Sequence, residues 1–285
     1  MILAREPEGL RSLLDEARHR GDTVGLHPTM GALHGGHEAN IAKMAAECDT
    51  AAVTIFVNPL QFGPGEDFSS YPRDLEADLS RAERAGAGIV FAPPMEAMYP
   101  EEPLVSVTVP KLADGLEGAR RPGHFDGVAT VVTKLLALAG PCYAYFGEKD
   151  YQQLVIVRRL VKDLSLPAVV VACPTVRETD GLALSSRNAY LSPAERRAAP
   201  ALYWALLAGK RAVDERGERE ADAVRDEMRD VLLREELVEP DYAEVTDPGT
   251  LEPLGKISGE VRLLVAARLG RARLIDNLAA GAGEG

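Results

Sequence analysis

Two imidazoles three residues apart, His34 and His37, stand in the run His27-Pro28-Thr29-Met30-Gly31-Ala32-Leu33-His34-Gly35-Gly36-His37. Histidine is the side chain that can offer a proton to a phosphate oxygen near neutral pH. Gly31, Gly35 and Gly36 remove the Cβ atoms that would keep phosphates off the backbone. An apolar stretch, Thr23 to Leu26, precedes the run, and a helical pattern, Glu38 to Glu47, follows it. Strand, glycine turn and helix start together present backbone N–H groups and a favourable dipole to an anion. Two plainer readings stand beside this one. The run can be a strand-to-helix turn with incidental histidines, or His27, His34 and His37 can ligate a metal, although no carboxylate or cysteine accompanies them at ligand spacing.

Other residues of the same chemistry recur downstream. Asn58 and Gln61 follow a β-branched run, Thr50 to Val57, and emerge where open α/β sheets place their crevice. Asn58-Pro59 is also an ordinary capped turn. Arg120, Arg121 and His124 precede a helical pattern, Val128 to Leu138, and form a second plausible anion site or a solvated loop. Lys149, in Gly147-Glu148-Lys149-Asp150, opens a helix beside a glycine, where its charge can neutralise a phosphoryl group. Gln153 lies one helical turn beyond and is expected on the same face. Ser185, Ser186 and Arg187 offer two hydroxyls and a guanidinium in succession, a set that can bind triphosphate oxygens and is also a common loop composition.

The strings around these residues are narrower than their chemistry. His-x-Gly-His resembles the nucleotidylyltransferase signature, and Pro-Thr-Met-Gly-Ala-Leu-His-x-Gly-His resembles the pantothenate synthetase (pantoate–β-alanine ligase) family. Phe-Val-Asn-Pro-x-Gln-Phe, Arg-Pro-x-His-Phe-x-Gly-Val and Phe-Gly-Glu-Lys-Asp-x-Gln-Gln are similar to further strings of that family. The resemblance spans nearly the whole chain, strongly through residues 23–190. It implies an enzyme that joins (R)-pantoate to β-alanine with ATP, through a pantoyl adenylate, releasing pyrophosphate and AMP. It assigns charge stabilisation to His34, His37 and Lys149, with His37 the proton donor. ATP contacts are implied at Pro28, Thr29, Met30, Gly31, Ala32, Leu33, His34, Gly36 and His37. Gly147, Glu148, Lys149, Asp150, Val176, Leu184, Ser185, Ser186 and Arg187 complete that implied set. Pantoate and β-alanine are implied at Gln61 and Gln153, with Asn58, Tyr71, Arg121 and His124 beside them. Magnesium would accompany ATP, with Asp78 a weak candidate ligand that reads first as part of a solvated helix face. The chain departs from the family pattern at Ala77, where an acid is sometimes present, at Leu184, usually Met, and at His27, usually apolar. A nucleotidylyltransferase that stops at an activated product, and a non-catalytic nucleotide-binding module, remain rival readings.

The elements that must position these groups follow from periodicity. Apolar runs at 23–26, 50–57, 88–91, 142–146 and 168–173 alternate with helical patterns, predicting a Rossmann-like, doubly wound parallel sheet. Residues 104–109 (Leu-Val-Ser-Val-Thr-Val) read as a further strand. A helix is expected over 8–20, another from Tyr71 onward, and a long one from Ser192 past Trp204, introduced by a capping box. A charged helix over 218–235 and strands at 238–245, 261–267 and 273–277 predict a smaller C-terminal α+β unit. The expected division is residues 1–175, binding nucleotide and pantoate, and 176–285, covering the active site; the Ala/Gly-rich end reads as a loose tail.

Composition bounds the rest. In 285 residues, 32 basic against 44 acidic side chains leave a net charge of −12, which argues against wholesale nucleic-acid or anionic-membrane binding. An anionic substrate must then be met by local cations against the global field. Three scattered cysteines read as reduced thiols, and neither a signal-like opening nor a membrane-length apolar run is evident. The expectation is a cytoplasmic enzyme of small-molecule substrates, a homodimer as reported for the family.

Overall fold

A computed structural model describes residues 1–66 and 68–281; the expected C-terminal tail lies largely outside the described residues. The chain divides into two compact units, one of Met1–Glu148 with Gln152–Pro174, the other of Lys149–Tyr151 with Thr175 onward.

The first unit is a six-stranded parallel sheet in the order β1-β4-β3-β2-β5-β6. Its strands are β1 (Ile2–Ala4), β2 (Val24–Thr29), β3 (Thr50–Ile55), β4 (Ile89–Phe91), β5 (Cys142–Gly147) and β6 (Ala168–Cys173). The β-branched and apolar runs fill the centre, as strands covered on both faces require. Helices α1 (Pro7–His19), α2 (Gly35–Glu47), α3 (Leu75–Arg84), α4 (Met95–Met98), α5 (Leu116–Arg120), α6 (His124–Ala139) and α7 (Tyr151–Asp163) connect and flank them. Leu33, Ile41 and Met44 from the α2 region pack with Val53, Val90 and Tyr145 of the sheet. Residues of β2 alternate between faces. A Cβ on Gly25 would meet Met44 and Cys48, so Gly25, His27 and Thr29 point to the α2 side. The sheet order places β2 between β3 and β5, where the winding reverses, and the crevice of such a sheet lies beyond the carboxyl ends there.

Several sequence expectations change. β1 is too short for a periodicity signal, yet it pairs with β4 from Ile2↔Ile89 to Ala4↔Phe91. Residues 104–109 are not a strand. Their backbone is held by side chains of α6: Val107 N–H donates to Thr130 Oγ1 at 2.9 Å and Val109 N–H to Asp126 Oδ1 at 2.7 Å. Leu104 and Val105 are 96% and 84% exposed. The helix that follows Arg121 begins at His124 rather than Val128.

The second unit has α8 (Pro193–Ala198), α9 (Ala201–Asp214) and α10 (Ala221–Leu233) with an antiparallel sheet β7 (Glu239–Thr246), β8 (Val261–Leu269) and β9 (Ala272–Ala280). The expected long helix is two, because Pro200 lacks the N–H a continuous helix would need. The Ser192 capping box is formed, with Glu195 as its reciprocal partner. Leu202, Leu206, Met228, Leu263 and Val265 centre a core of its own. Within it Arg177 makes a two-pronged pair with Asp276, at 2.5 and 2.9 Å, under the ring of Tyr203. The three cysteines are buried and unpaired.

Candidate active site

The signature run begins inside β2, so His27, Pro28 and Thr29 are strand residues and the turn starts at Met30. Gly31 adopts φ +81 and Ala32 φ +50, left-handed conformations that a non-glycine residue holds only under constraint. Asp78 of α3 supplies it. Its Oδ2 accepts from Ala32 N–H at 2.9 Å and its Oδ1 from Leu33 N–H at 2.7 Å. A Cβ on Gly31 would stand 2.8 Å from the same carboxylate, so only glycine admits the close approach. Thr29 Oγ1 ties the turn back to β3 through Thr54 O at 2.6 Å and accepts from Gly31 N–H at 3.2 Å.

Asp78 is thus 4% exposed, and its reading as part of a solvated face is corrected. Burial pushes its carboxyl above the usual range, and the two amides pull it back. Both oxygens are engaged by the turn, and among the described residues no group of three or more His, Cys, Asp and Glu is placed to hold a metal ion. The expectation that the glycine turn presents its amides to an anion changes accordingly: Ala32 and Leu33 spend theirs on Asp78, and Gly36 spends its on a histidine.

That histidine is His34, the N-cap of α2. Its Nδ1 accepts from Gly36 N–H at 3.1 Å, while its own N–H donates to Nδ1 of His37 at 3.3 Å, a capping box built from two imidazoles. A backbone N–H can only donate, so each neutral ring carries its proton on Nε2. Two donors of fixed tautomer, ring centroids 4.1 Å apart, therefore stand beyond the carboxyl end of β2. Behind them His27 is buried, its ring 5.8 Å from that of His37.

β3 leads into the 3₁₀ turn Pro59–Gln61, which collects the expected acid-binding residues. Asn58 Nδ2 donates to Gln61 Oε1 and to Gly127 O, both at 3.1 Å, and its Oδ1 accepts from Tyr99 at 3.0 Å. Gln61 Nε2 meets Met30 Sδ at 2.9 Å, joining this cluster to the signature turn. His124 Nδ1 donates to Gln61 O at 2.8 Å and its Nε2 accepts from Arg121 at 3.0 Å. Burial, then the Arg121 charge, hold His124 neutral with a pKa lowered to about 4. Arg121 in turn makes a bidentate pair with Glu66, 2.7 Å on both arms. Arg121 and His124 therefore brace Gln61 and Glu66, a scaffold role that local sequence did not signal. Tyr71 is buried edge-on to Phe62.

β5 ends at Gly147, and Glu148, Lys149 and Asp150 form a 3₁₀ turn. Lys149 precedes α7 instead of opening it, so it shares no α-helical face with Gln153, which is half-buried on α7. Within the second unit Asn277 Nδ2 donates to Lys149 O at 2.8 Å. Asn277 Oδ1 accepts from Arg262 Nε at 2.7 Å, and Arg262 lies over the Tyr151 ring at 3.9 Å. The same unit brings Leu184 N–H to Val176 O at 3.0 Å, and Ser185 caps the 3₁₀ turn Ser186–Tyr190 through Arg187 N–H. Two groups of candidates are thereby assembled. One is His34, His37, Met30, Gln61, Asn58, His124 and Arg121 in the first unit; the other, in the second unit, is the pair Val176 and Leu184 with Ser185, Ser186 and Arg187 following, while Lys149 belongs to the same unit through Asn277. Asp78, Glu66, Tyr99 and Asn277 support them from elements far away in sequence.

Six parallel strands with polar groups gathered beyond the carboxyl ends of β2 and β3 define a Rossmann-like α/β protein with an additional antiparallel unit. The pantoate-beta-alanine ligase family profile matches residues 2–279, and the chain belongs to that family. It is 49% identical over 281 residues to the pantothenate synthetase of Oleidesulfovibrio alaskensis, covering 98% of this chain and 99% of the relative. Identity to the pantothenate synthetase of Chloroflexus aggregans is 52% over 265 residues, 92% and 94% of the two chains. The crystal structure of pantothenate synthetase from Thermus thermophilus superposes with a TM-score of 0.92 at 47% identity, covering 98% and 99%. Pantoate-beta-alanine ligase from Francisella tularensis, complexed with "Beta-gamma ATP" and β-alanine, superposes with a TM-score of 0.80 at 32% identity, covering 98% and 97%.

Proposed function

We propose that the protein condenses (R)-pantoate with β-alanine at the expense of ATP. The observation that carries this reading is the fixed pair of Nε2–H imidazoles at the start of α2, beside the Met30–Gln61 contact. A carboxylate is a poor acyl donor. The pantoate carboxylate oxygen would therefore attack the α-phosphorus of ATP, forming pantoyl adenylate as the bond to pyrophosphate breaks. The β-alanine amine would then attack the acyl carbon, expelling AMP and losing a proton as the amide forms. His34 and His37 would stabilise the charge that grows on the phosphates and leaving group, with His37 the proton donor. Lys149, Ser185, Ser186 and Arg187 would grip phosphate oxygens, and Gln61 and Gln153 would orient the hydroxy acid through neutral amides. The Francisella relative, complexed with an ATP species and β-alanine, supports two of the three substrates.

Magnesium is proposed to enter on the triphosphate with water ligands, since the carboxylate oxygens of Asp78 already serve the turn. No helix of the described residues is long and apolar enough to cross a membrane, and the unpaired thiols suit a reducing, cytoplasmic setting. A homodimer is proposed from the exposed apolar pair Leu104 and Val105, which a second copy would cover; a monomeric mass by sedimentation equilibrium would remove it.

The test is isotope exchange between pyrophosphate and ATP with pantoate present and β-alanine absent. Pantoate-dependent exchange, converted to AMP release when β-alanine is added, is the expected result. His37→Ala should keep the fold and lose exchange by about 10²-fold or more. ATP binding without exchange would point instead to another acid or to a non-catalytic nucleotide module.

A further inference from the structure

His27 carries a buried nitrogen that the proposed chemistry has not used. Its Nδ1 lies 2.9 Å from Tyr145 O; a carbonyl only accepts, so Nδ1 holds the ring proton and Nε2 is a bare lone pair. That Nε2 is fully buried without a hydrogen-bond partner, although the residue is only 3% exposed. A desolvated acceptor without a donor costs free energy and is rare in a strand. The ring points to the α2 face of the sheet, 5.8 Å from the centroid of His37 and tilted 49° to it. An N–H···N hydrogen bond between two imidazoles sets their centroids about 5 Å apart, so the two rings stand close to the separation such a bond requires.

We infer that His27 is a positioning residue whose Nε2 accepts an N–H of His37 when the His37 ring carries its second proton. This rests on the reading of His37 as proton donor. In the neutral state His37 Nδ1 accepts from His34 N–H. Protonation turns that nitrogen into a donor, two N–H groups then face each other, and the contact must open. The imidazolium has two N–H groups to place. One is directed at a phosphate oxygen of the substrate; the other needs an acceptor inside the protein, and His27 Nε2 is the lone pair standing there. Once the proton has passed to the leaving group and the ring again holds its single proton on Nε2, Nδ1 closes again on the His34 amide. His27 can serve without taking the proton itself, because burial lowers its own pKa to about 4.

Most other titratable groups on α2 and the elements packed against it have partners of their own. On α2, His34 caps the helix, Glu38 pairs with Arg81 and Arg84 of α3, and Lys43 pairs with Glu47. Tyr145 on β5 directs its hydroxyl to Glu47 and Cys48. Asp78 on α3 serves the turn, Asp49 before β3 serves Thr23, and Cys173 is buried at the end of β6, with Glu148 following β5.

The experiment is an NMR titration of the imidazole C2–H signals in the unliganded full chain, with the His37 signal identified by its absence in His37→Ala. In His27→Leu, which removes the acceptor, the pKa of His37 should fall by about one pH unit, because a hydrogen bond to the charged form is lost. His27→Gln, whose amide can donate to Tyr145 O and offer Oε1 towards His37, should restore most of the shift. An unchanged His37 curve in His27→Leu overturns the inference. Should the leucine variant not fold, the wild-type chain decides: the ¹⁵N signal of His27 Nε2 should move along the titration curve of His37, and a signal unmoved through that curve overturns the inference equally. Because no substrate is present, failure of the pantoate-dependent exchange would remove the proposed activity and leave this titration result standing.

Discussion

At the scale of single residues, the signature turn is held by a carboxylate that anion-binding logic would have kept away from it. Asp78 accepts from Ala32 and Leu33, and Ala32 is kept at φ +50 by that contact. In Asp78→Ala two amides lose their acceptor and the strained residue is released, which should destabilise the fold by about 2–4 kcal/mol in denaturant unfolding. Asp78→Asn, with one oxygen left to accept, should fall between; a wild-type midpoint for the alanine variant would show that the turn holds itself. His124 gives a pH dependence. Its folded pKa, lowered to about 4, lies below the unfolded value of 6.5. The stability it contributes is therefore complete above about pH 6.5 and is lost as the pH falls through that window towards 4. In His124→Gln the loss of unfolding free energy between pH 7 and 4.5 should shrink by roughly 2–3 kcal/mol. Equal slopes for the two proteins would place the acid sensitivity elsewhere. Neither role was legible from local sequence, where Asp78 reads as one more charge on a helix and His124 as a loop cation. Their partners lie 45 and 63 residues away. By contrast the place of His34 and His37 at a helix start was legible, because glycines and a helical pattern flank them in the same eleven residues.

At the scale of elements, long runs were readable and short or interrupted ones were not. β3 and β6 announce themselves by continuous apolar residues, whereas β1 has three residues and depends on its pairing with β4. The run 104–109 has strand-like residues but no neighbouring strand among the described residues, and α6 side chains take its amides instead. A closer constraint joins α6 to the turn that carries Gln61. A Cβ on Gly127 would fall 2.1 Å from Leu60 O and 2.3 Å from Leu60 C, backbone atoms that cannot rotate away. Gly127→Ala must therefore push the 3₁₀ turn off the helix and disturb the Asn58 bond to Gly127 O. Overpacking of this kind costs about 1–3 kcal/mol. A displaced Gln61 should lower kcat/KM for pantoate by roughly ten- to a hundredfold while KM for ATP moves less. Steady-state kinetics with each substrate varied in turn checks this, and equal losses for both would mean the damage is general.

At the scale of the whole molecule, the chain enters the second unit twice: briefly at Lys149–Tyr151 and for good at Thr175. The net charge of −12 gives ATP no general attraction, so its binding must depend on cations held at contact distance. Lys149 is the cation proposed for this role, and its backbone is fixed by β9 through Asn277 Nδ2. Asn277→Asp isolates this bond. The new carboxylate still accepts from Arg262, so the buried guanidinium keeps a partner, but it has no N–H to give to Lys149 O. Loss of one hydrogen bond, with an oxygen now facing an oxygen, should raise KM for ATP about five- to tenfold. KM for pantoate should stay within twofold on the same scale, because Gln61 and its braces belong to the first unit. Thermal unfolding should change little, which separates the effect from a loss of fold. A rise in KM for pantoate with KM for ATP unchanged would contradict the assignment of Lys149 to the nucleotide and return it to the acid substrate.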